Sequence, residues 1–519
     1  MKIIIPMSGM SSRFSRAGYQ LPKYLLEIDG KTVIQHIVDL YPKDSEFIFI
    51  ANDKNAEETN ILSLLDTICD NKKIFVIPSH KFGPVYTVSH IFDEIDDEEQ
   101  VVVNYCDFSM FWDYKEFEKF VEETKCDGCV ICYTGFHPHM LGSDNYAFCK
   151  VDGNNKIIEV REKQPFTDDK MSEYASTGTY YFKKGKYVKK YFQQMMDDNV
   201  NLSGEYYVSL IYNLLCKDKL SSFVFEVPHM LQWGTPLDLD MYLKWSNYYR
   251  KSLSGQKQVS VSNCFTLLPM AGNGSRFKKE GYQIPKPFIP VNGKFMLDQA
   301  VRCLPKTDKI IYGCLKEHRD CSPNGDIIWI DEVLPGQACT TEKLVTDLDE
   351  KSSILISACD NGMFYDADKF LELVEDENND AIIWSYRNNY TSFYNPNMYS
   401  WLDVDAENNI KHVHVKNFVG ENPIEEYAIV GTMFFRNKDV YLNSLNSLYK
   451  KNIRVNNEFY IDSLINESIQ LGYKVKNFEI DEYICWGTPN DLRTYQYWQT
   501  FFNKVNWHPY SYERDYFTN

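Results

Sequence analysis

Residues 5–23 read IPMSGMSSRFSRAGYQLPK, and residues 268–286 read LPMAGNGSRFKKEGYQIPK. Each run sets an arginine (Arg13, Arg276) ten residues before a lysine (Lys23, Lys286), just after a turn of small residues. A guanidinium can fork onto phosphate oxygens, and an ammonium adds a point charge. The small residues are Ser8, Gly9 and Ser11 in one copy and Ala271, Gly272 and Gly274 in the other. They let backbone amides approach a phosphate closely. The pattern predicts a phosphate cradle, written twice, with 11 of 19 positions identical at a constant offset of 263. The copies differ at one telling place: Ser11 stands where the second has Gly274. If that position needs φ > 0, serine costs up to about 1–2 kcal/mol or forces another path.

Further pairs follow at an offset of 253. VVVNYCDF (101–108) matches ILISACDN (354–361), which puts Asp107 opposite Asp360, each at the end of an apolar run. A carboxylate there is expensive unless it is solvated, paired or bound to a metal. The expectation is a Mg²⁺ ligand that bridges nucleotide phosphates. The alternative is an N-cap for the helix that follows. Lys163 and Lys416 also share the register and are expected to supply a second anion contact. Cys126, Cys129 and Cys132 have metal-like spacing, but GCVICYTGF reads as a buried strand and no second CxxC follows, so they are read as core thiols. His137/His139 and His412/His414 are read as ordinary strand or loop histidines.

These residues must be held by something. The repeat extends through YASTGTYYF (174–182) and YAIVGTMFF (427–435), through Glu205 and Glu458, and through WGTPLDL (233–239) and WGTPNDL (486–492). A period of about 250 residues is a duplicated domain, not a solenoid. The expected division is residues 1–250, a polar join at 251–263, and residues 264–519. Lys2–Pro6, Phe47–Ala51, Lys73–Pro78 and Val101–Tyr105 read as strands; Thr32–Leu40 and Asp113–Glu123 read as helices. The alternation predicts an α/β fold with a mainly parallel sheet covered on both faces, and ligands at the carboxyl ends of the strands.

The chain has 519 residues, 44% of them hydrophobic, and a net charge of −18. That balance argues against a nucleic-acid partner, whose affinity comes from neutralising phosphates. No apolar run approaches the roughly 20 residues that cross a bilayer. MKIII breaks at Pro6 and does not read as a signal peptide. The expectation is a cytoplasmic protein without membrane contact, its two domains touching; the oligomeric state is left open.

Together the loop, the Pro-Lys, the strand-end Asp, the Glu-Lys and the late Gly-Thr resemble the sugar-phosphate nucleotidyltransferases, or sugar-1-phosphate pyrophosphorylases. AGNGSRF…PKP (271–287) fits the family's opening pattern very closely, and SGMSSRF…PKY (8–24) less so. The resemblance implies two tandem Rossmann-like (GT-A-like) domains and the joining of an NTP to a phosphorylated acceptor, with release of pyrophosphate, for surface polysaccharide biosynthesis. It implies that the loops with Arg13, Lys23, Arg276 and Lys286 hold the triphosphate. Asp107 and Asp360 would hold Mg²⁺, and Lys163 and Lys416 would touch the acceptor's phosphate. Gly83 and Gln337 would lie near the base or its sugar. Two departures stand out. The family's second metal-binding Asp is replaced by Gln232 and Cys485. The Glu-Lys pair is Glu162-Lys163 in one half but Val415-Lys416 in the other.

Such a reaction needs no general base, because the attacking phosphate oxygen is already ionised. Alignment of two anions and charge stabilisation suffice. One rival is a glycosyltransferase using a finished nucleotide-sugar. Asp403-Val404-Asp405 spells its DxD motif, but the following residues read as a hairpin turn. Another rival has one catalytic half beside a regulatory nucleotide-binding half.

Overall fold

The computed structural model describes residues 1–388 and 390–518. Two compact units emerge: residues 1–246 with 504–508, and residues 247–503 with 509–519. The helix Pro236–Ser252 runs across the change of unit. Residues 251–263 are pinned within the second unit, where Val261 and Lys306 amides donate to the carbonyls of Lys306 and Val259.

The first unit is built on a nine-stranded sheet. Lys2–Met7 lies at its centre, parallel to Glu46–Asn52 on one side and Val101–Asn104 on the other, with Lys72–Ile77 at the edge. Every residue of the central strand is buried. It has covered neighbours on both faces, which is why Ile3–Met7 is an unbroken apolar run and not an alternating one. Beyond Val101–Asn104 the direction changes. The long strand Tyr174–Phe182 runs antiparallel to it, and Gly128–Tyr133 and Ala147–Val151 pair antiparallel with that strand in turn. The sheet is thus mixed: parallel on the side of the loop, antiparallel around Tyr174–Phe182, with Ser222–Glu226 parallel to Gly128–Tyr133 beyond.

The second unit repeats this order. Asp326–Ile330, Lys309–Leu315, Cys264–Pro269 and Ser353–Ile356 form the parallel side, and Tyr427–Phe435 returns antiparallel. A two-stranded ribbon completes each unit. Phe108–Phe111 pairs with His229–Gln232 in the first, and Asn361–Phe364 with Glu482–Cys485 in the second. The helices after these ribbons start at Asp113 and Asp366, whose side chains cap them. Asp107 and Asp360 are therefore not the caps, and the capping alternative for them is removed.

Asp403 and Asp405 lie in the hairpin between Trp401–Val404 and Ile410–His414. Asp405 accepts from the amides of Glu407 and Asn409 and pairs with Lys411 at 2.7 Å, while Asp403 meets His414 at 2.9 Å. Asp405 is occupied by the turn, and Asp403 by the facing strand. Cys129 and Cys132 are buried thiols on Gly128–Tyr133. Among the described residues no helix is long and apolar enough to cross a membrane.

Candidate functional site

The opening strand ends at Met7, and the chain turns over Ser8–Ser11 into the short helix Ser12–Arg16. The turn needs one left-handed residue. Ser11 supplies it at φ 48°, and Gly274 does the same at φ 59°. The serine thus keeps the glycine's path, at a strain of about 1–2 kcal/mol. Part of that strain is offset, because the Ser11 hydroxyl accepts from the Lys23 amide at 3.2 Å. Ser8 is buried and held from behind: its hydroxyl is 2.6 Å from that of Thr87 and 3.1 Å from Nε2 of His80.

Lys23 follows Pro22 and turns its ammonium onto Asp107, 2.6 Å away. Lys286 and Asp360 form the same pair in the second unit. Burial works to lower the pKa of both ammonium groups, but the surrounding groups, the facing carboxylates foremost, reverse it, and both stay charged. The preceding cysteines, Cys106 and Cys359, are pushed up to about 12 by burial. At neutral pH this favours the thiol form of both. The ribbon pairing brings the late Gly-Thr motif to the same place. A Cβ on Gly234 would come within 2.9 Å of Asp107 Oδ2, and one on Gly487 within 2.8 Å of Asp360 Oδ2. Gln232 lines the site, whereas the Cys485 thiol is 3.3 Å from Asp491 Oδ2.

Lys163 and Lys416 share a feature that residue type does not announce. Their backbones are left-handed, at φ 57° and 52°. Non-glycine residues in that region cluster where a side chain must be aimed. Lys163 donates to the Tyr207 hydroxyl at 2.6 Å, and that hydroxyl donates to Glu205 at 2.6 Å. Lys416 turns instead to the Met398 carbonyl, 2.5 Å away.

In the first unit these parts converge. Ser8, Gly9, Ser11, Arg13, Lys23, Gly83, Asp107 and Lys163 all line one cavity of about 440 Å³. Gly83 is there for a backbone reason: its φ is 86°, and a Cβ would meet the Tyr206 amide at 2.8 Å. In the second unit Ala271 is buried at the turn and Gly272 is exposed. Gly274 packs against Lys286, where a Cβ would lie 3.2 Å from the lysine's own. Arg276 lies within electrostatic reach of Tyr460. Gln337 is the exposed first residue of the helix Gln337–Val345.

Residue patterns missed His80, Tyr207 and Tyr460, and also Asp238 and Asp491. The last two sit in WGTPLDL and WGTPNDL, at matching positions. Each accepts from the threonine three residues earlier, at 2.5 Å for Thr235 and 2.7 Å for Thr488. Burial pushes Asp238 up to about 6, against the pull of Thr235 and Arg13, and raises Asp491 as well. Their presence in both motifs was the available signal.

Burial also pushes Glu162 up to about 7 from 4.5, although Ser209 donates to it at 2.6 Å and Lys163 is adjacent. A carboxyl raised on folding lends stability that is full below its unfolded pKa and is lost as pH rises through the folded one. Here the window runs from 4.5 to about 7. Glu162→Gln should therefore stabilise the first unit at pH 8, by up to about 3 kcal/mol. It should give no gain at pH 4.5. Denaturant unfolding at the two pH values checks this, and an equal effect at both would refute it.

Among the described residues no three His, Cys, Asp or Glu side chains gather as a metal cage. Each unit offers one carboxylate at the strand edge, facing a lysine. That donor set suits a hard cation that keeps most of its waters and shares ligands with phosphates.

A nucleoside-diphosphate-sugar pyrophosphorylase from Vibrio cholerae RC9 is 24% identical, with a TM-score of 0.39, over 46% of this chain and 99% of that one. The inositol-1-phosphate CTP transferase from T. maritima is 17% identical, with a TM-score of 0.37, over 48% of this chain and 99% of that one. No curated protein matches the chain. Residues 3–152 match the family model described as a MobA-like NTP transferase domain, and the loop, Lys23 and Asp107 all fall inside the matched stretch.

Proposed function

We propose that each half joins an NTP to a small phosphorylated acceptor, a sugar 1-phosphate or similar, and releases pyrophosphate. We place the reaction in the cytoplasm, in the supply of nucleotide-linked precursors for surface polysaccharide. The observation that carries this reading is the convergence on one cavity of the small-residue loop, Arg13, Lys23, Asp107 and Lys163.

In this reading the loop amides, with Arg13 and Lys23 or Arg276 and Lys286, hold the triphosphate. Lys163 and Lys416 hold the acceptor's phosphate in line with the α-phosphorus. One acceptor oxygen bonds to that phosphorus, the bond to the bridging oxygen breaks, and pyrophosphate leaves with the electron pair. No proton moves, since the attacking oxygen is already ionised. The site's work is to bring two anions together and to meet the growing negative charge with fixed positive groups. Asp107 and Asp360 would hold Mg²⁺, which when bound neutralises phosphate charge.

The test is pyrophosphate release by the full chain, with four NTPs against a panel of phosphorylated sugars and amino alcohols. At least one pair should release pyrophosphate in step with a nucleotide-linked product. Release of a nucleoside diphosphate from a nucleotide-sugar, with no pyrophosphate from any NTP, would establish the glycosyltransferase instead.

A further inference from the structure

The acceptor side of the two halves differs in one respect that the repeat makes measurable. Beside Lys163 the first half has a carboxylate held by a serine: Ser209 donates to Glu162 Oε2 at 2.6 Å. The register offset of 253 gives Val415 for Glu162 and Asp462 for Ser209. The register is secure here, because Asn213 and Asn466 make the same pair of bonds to Val160 and Val413. Val415 brings no charge, so the second half would have lost its carboxylate. Instead Asp462 stands where Ser209 was, and a new serine, Ser400, donates to it at 2.5 Å. Ser400 replaces Ala147, and its hydroxyl also faces the Lys416 amide at 3.4 Å.

A serine–carboxylate pair therefore borders the left-handed lysine in both halves, although none of its four residues occupies an equivalent position with an equivalent type. The surroundings agree. Tyr207 feels Glu205, Glu162 and Arg13, and Tyr460 feels Glu458, Asp462 and Arg276. An acid in the first turn of the helix Ile461–Gln470 also favours the helix dipole. That role alone would not call for a serine from a separate segment, just before the strand Trp401–Val404, to aim it.

Resting on the function proposed above, we propose that Asp462 is the specificity-determining carboxylate of the second half. Glu162 lines the first unit's cavity beside Lys163; in this proposal it accepts hydrogen bonds from hydroxyl or ammonium groups of the phosphorylated acceptor, and Asp462 does so in the second half. It comes from the helix side and is one methylene shorter. The two halves then read differently shaped acceptors bearing the same phosphate.

The experiment uses the full chain with one half silenced. In Asp107→Asn protein, Asp462→Asn should raise the acceptor KM about 10- to 100-fold, the loss of a charge-assisted hydrogen bond, with the NTP KM unchanged. In Asp360→Asn protein, Glu162→Gln should do the same to the first half's acceptor, and Asp462→Asn should do nothing. Moving the carboxylate back, with Val415→Glu, Ser400→Ala and Asp462→Ser together, should shift the second half toward the first half's acceptor. If Asp462→Asn lowers the melting temperature but leaves the acceptor KM within twofold, Asp462 is only a helix-end acid; the inference falls and the proposed function stands. If no NTP and acceptor pair yields pyrophosphate even before substitution, both fall.

Discussion

Asp107→Asn should cut turnover in the first half about 10²- to 10³-fold while leaving the second half intact, and Asp360→Asn should do the reverse. Each carboxylate stands between a buried strand and the ribbon strand that follows it, pairs with one lysine and faces a glycine that leaves no room for a side chain. Asparagine keeps the shape and removes the charge. Lys23 or Lys286 then loses the partner that holds its ammonium in position. The measurement is pyrophosphate release by each variant with each half's preferred substrates. Should either substitution abolish both activities, independent sites become untenable. Should one change nothing, that half is the regulatory module.

Gly336→Ala should be the most damaging small change in the second unit, with a loss of about 3 kcal/mol or more. Gly336 has φ 117°, and an added Cβ would lie 2.5 Å from the Phe459 carbonyl oxygen and 2.7 Å from its amide nitrogen. The obstacle is backbone that the site itself uses. The Phe459 amide donates to Pro335, and its carbonyl accepts from Ala338. Tyr460 and Asp462 follow directly. The variant should therefore lose second-half activity along with stability, while the first half keeps its turnover. Thermal unfolding alongside the two assays checks this, and a fall of less than about 1 kcal/mol would show that the loop simply shifts aside.

What the sequence made legible was whatever had been written twice with charge. Arg13, Lys23, Asp107 and Lys163 stand out because Arg276, Lys286, Asp360 and Lys416 repeat them in register, and the strands show as unbroken apolar runs. What stayed hidden was contact across long separations between residues of unremarkable type. Tyr207 under Lys163 is 44 positions away, and nothing in either residue's neighbourhood announces the pairing. Strand direction was hidden for a different reason. Tyr174–Phe182 is almost wholly buried, and a strand covered on both faces reads alike whether its neighbours run parallel or antiparallel. The left-handed backbones of Lys163 and Lys416 carry no spelling at all, unlike those of Gly274 and Gly336.

Ser11 also changes where the energetic burden of its turn resides. With glycine the burden falls on the unfolded chain, as extra freedom to be surrendered on folding. With serine it falls on the folded loop, as strain, and the hydroxyl that relieves it grips the backbone of Lys23. The first cradle and its cation are thereby fastened into one mechanical piece. Anything that draws Lys23 away from Asp107 must also tug on the backbone of the Ser8–Ser11 turn. In the second half no such tether joins Gly274 to Lys286. There the turn and the lysine can settle one after the other, so under the proposed function the two halves should close on a nucleotide with different cooperativity even if both bind the same one.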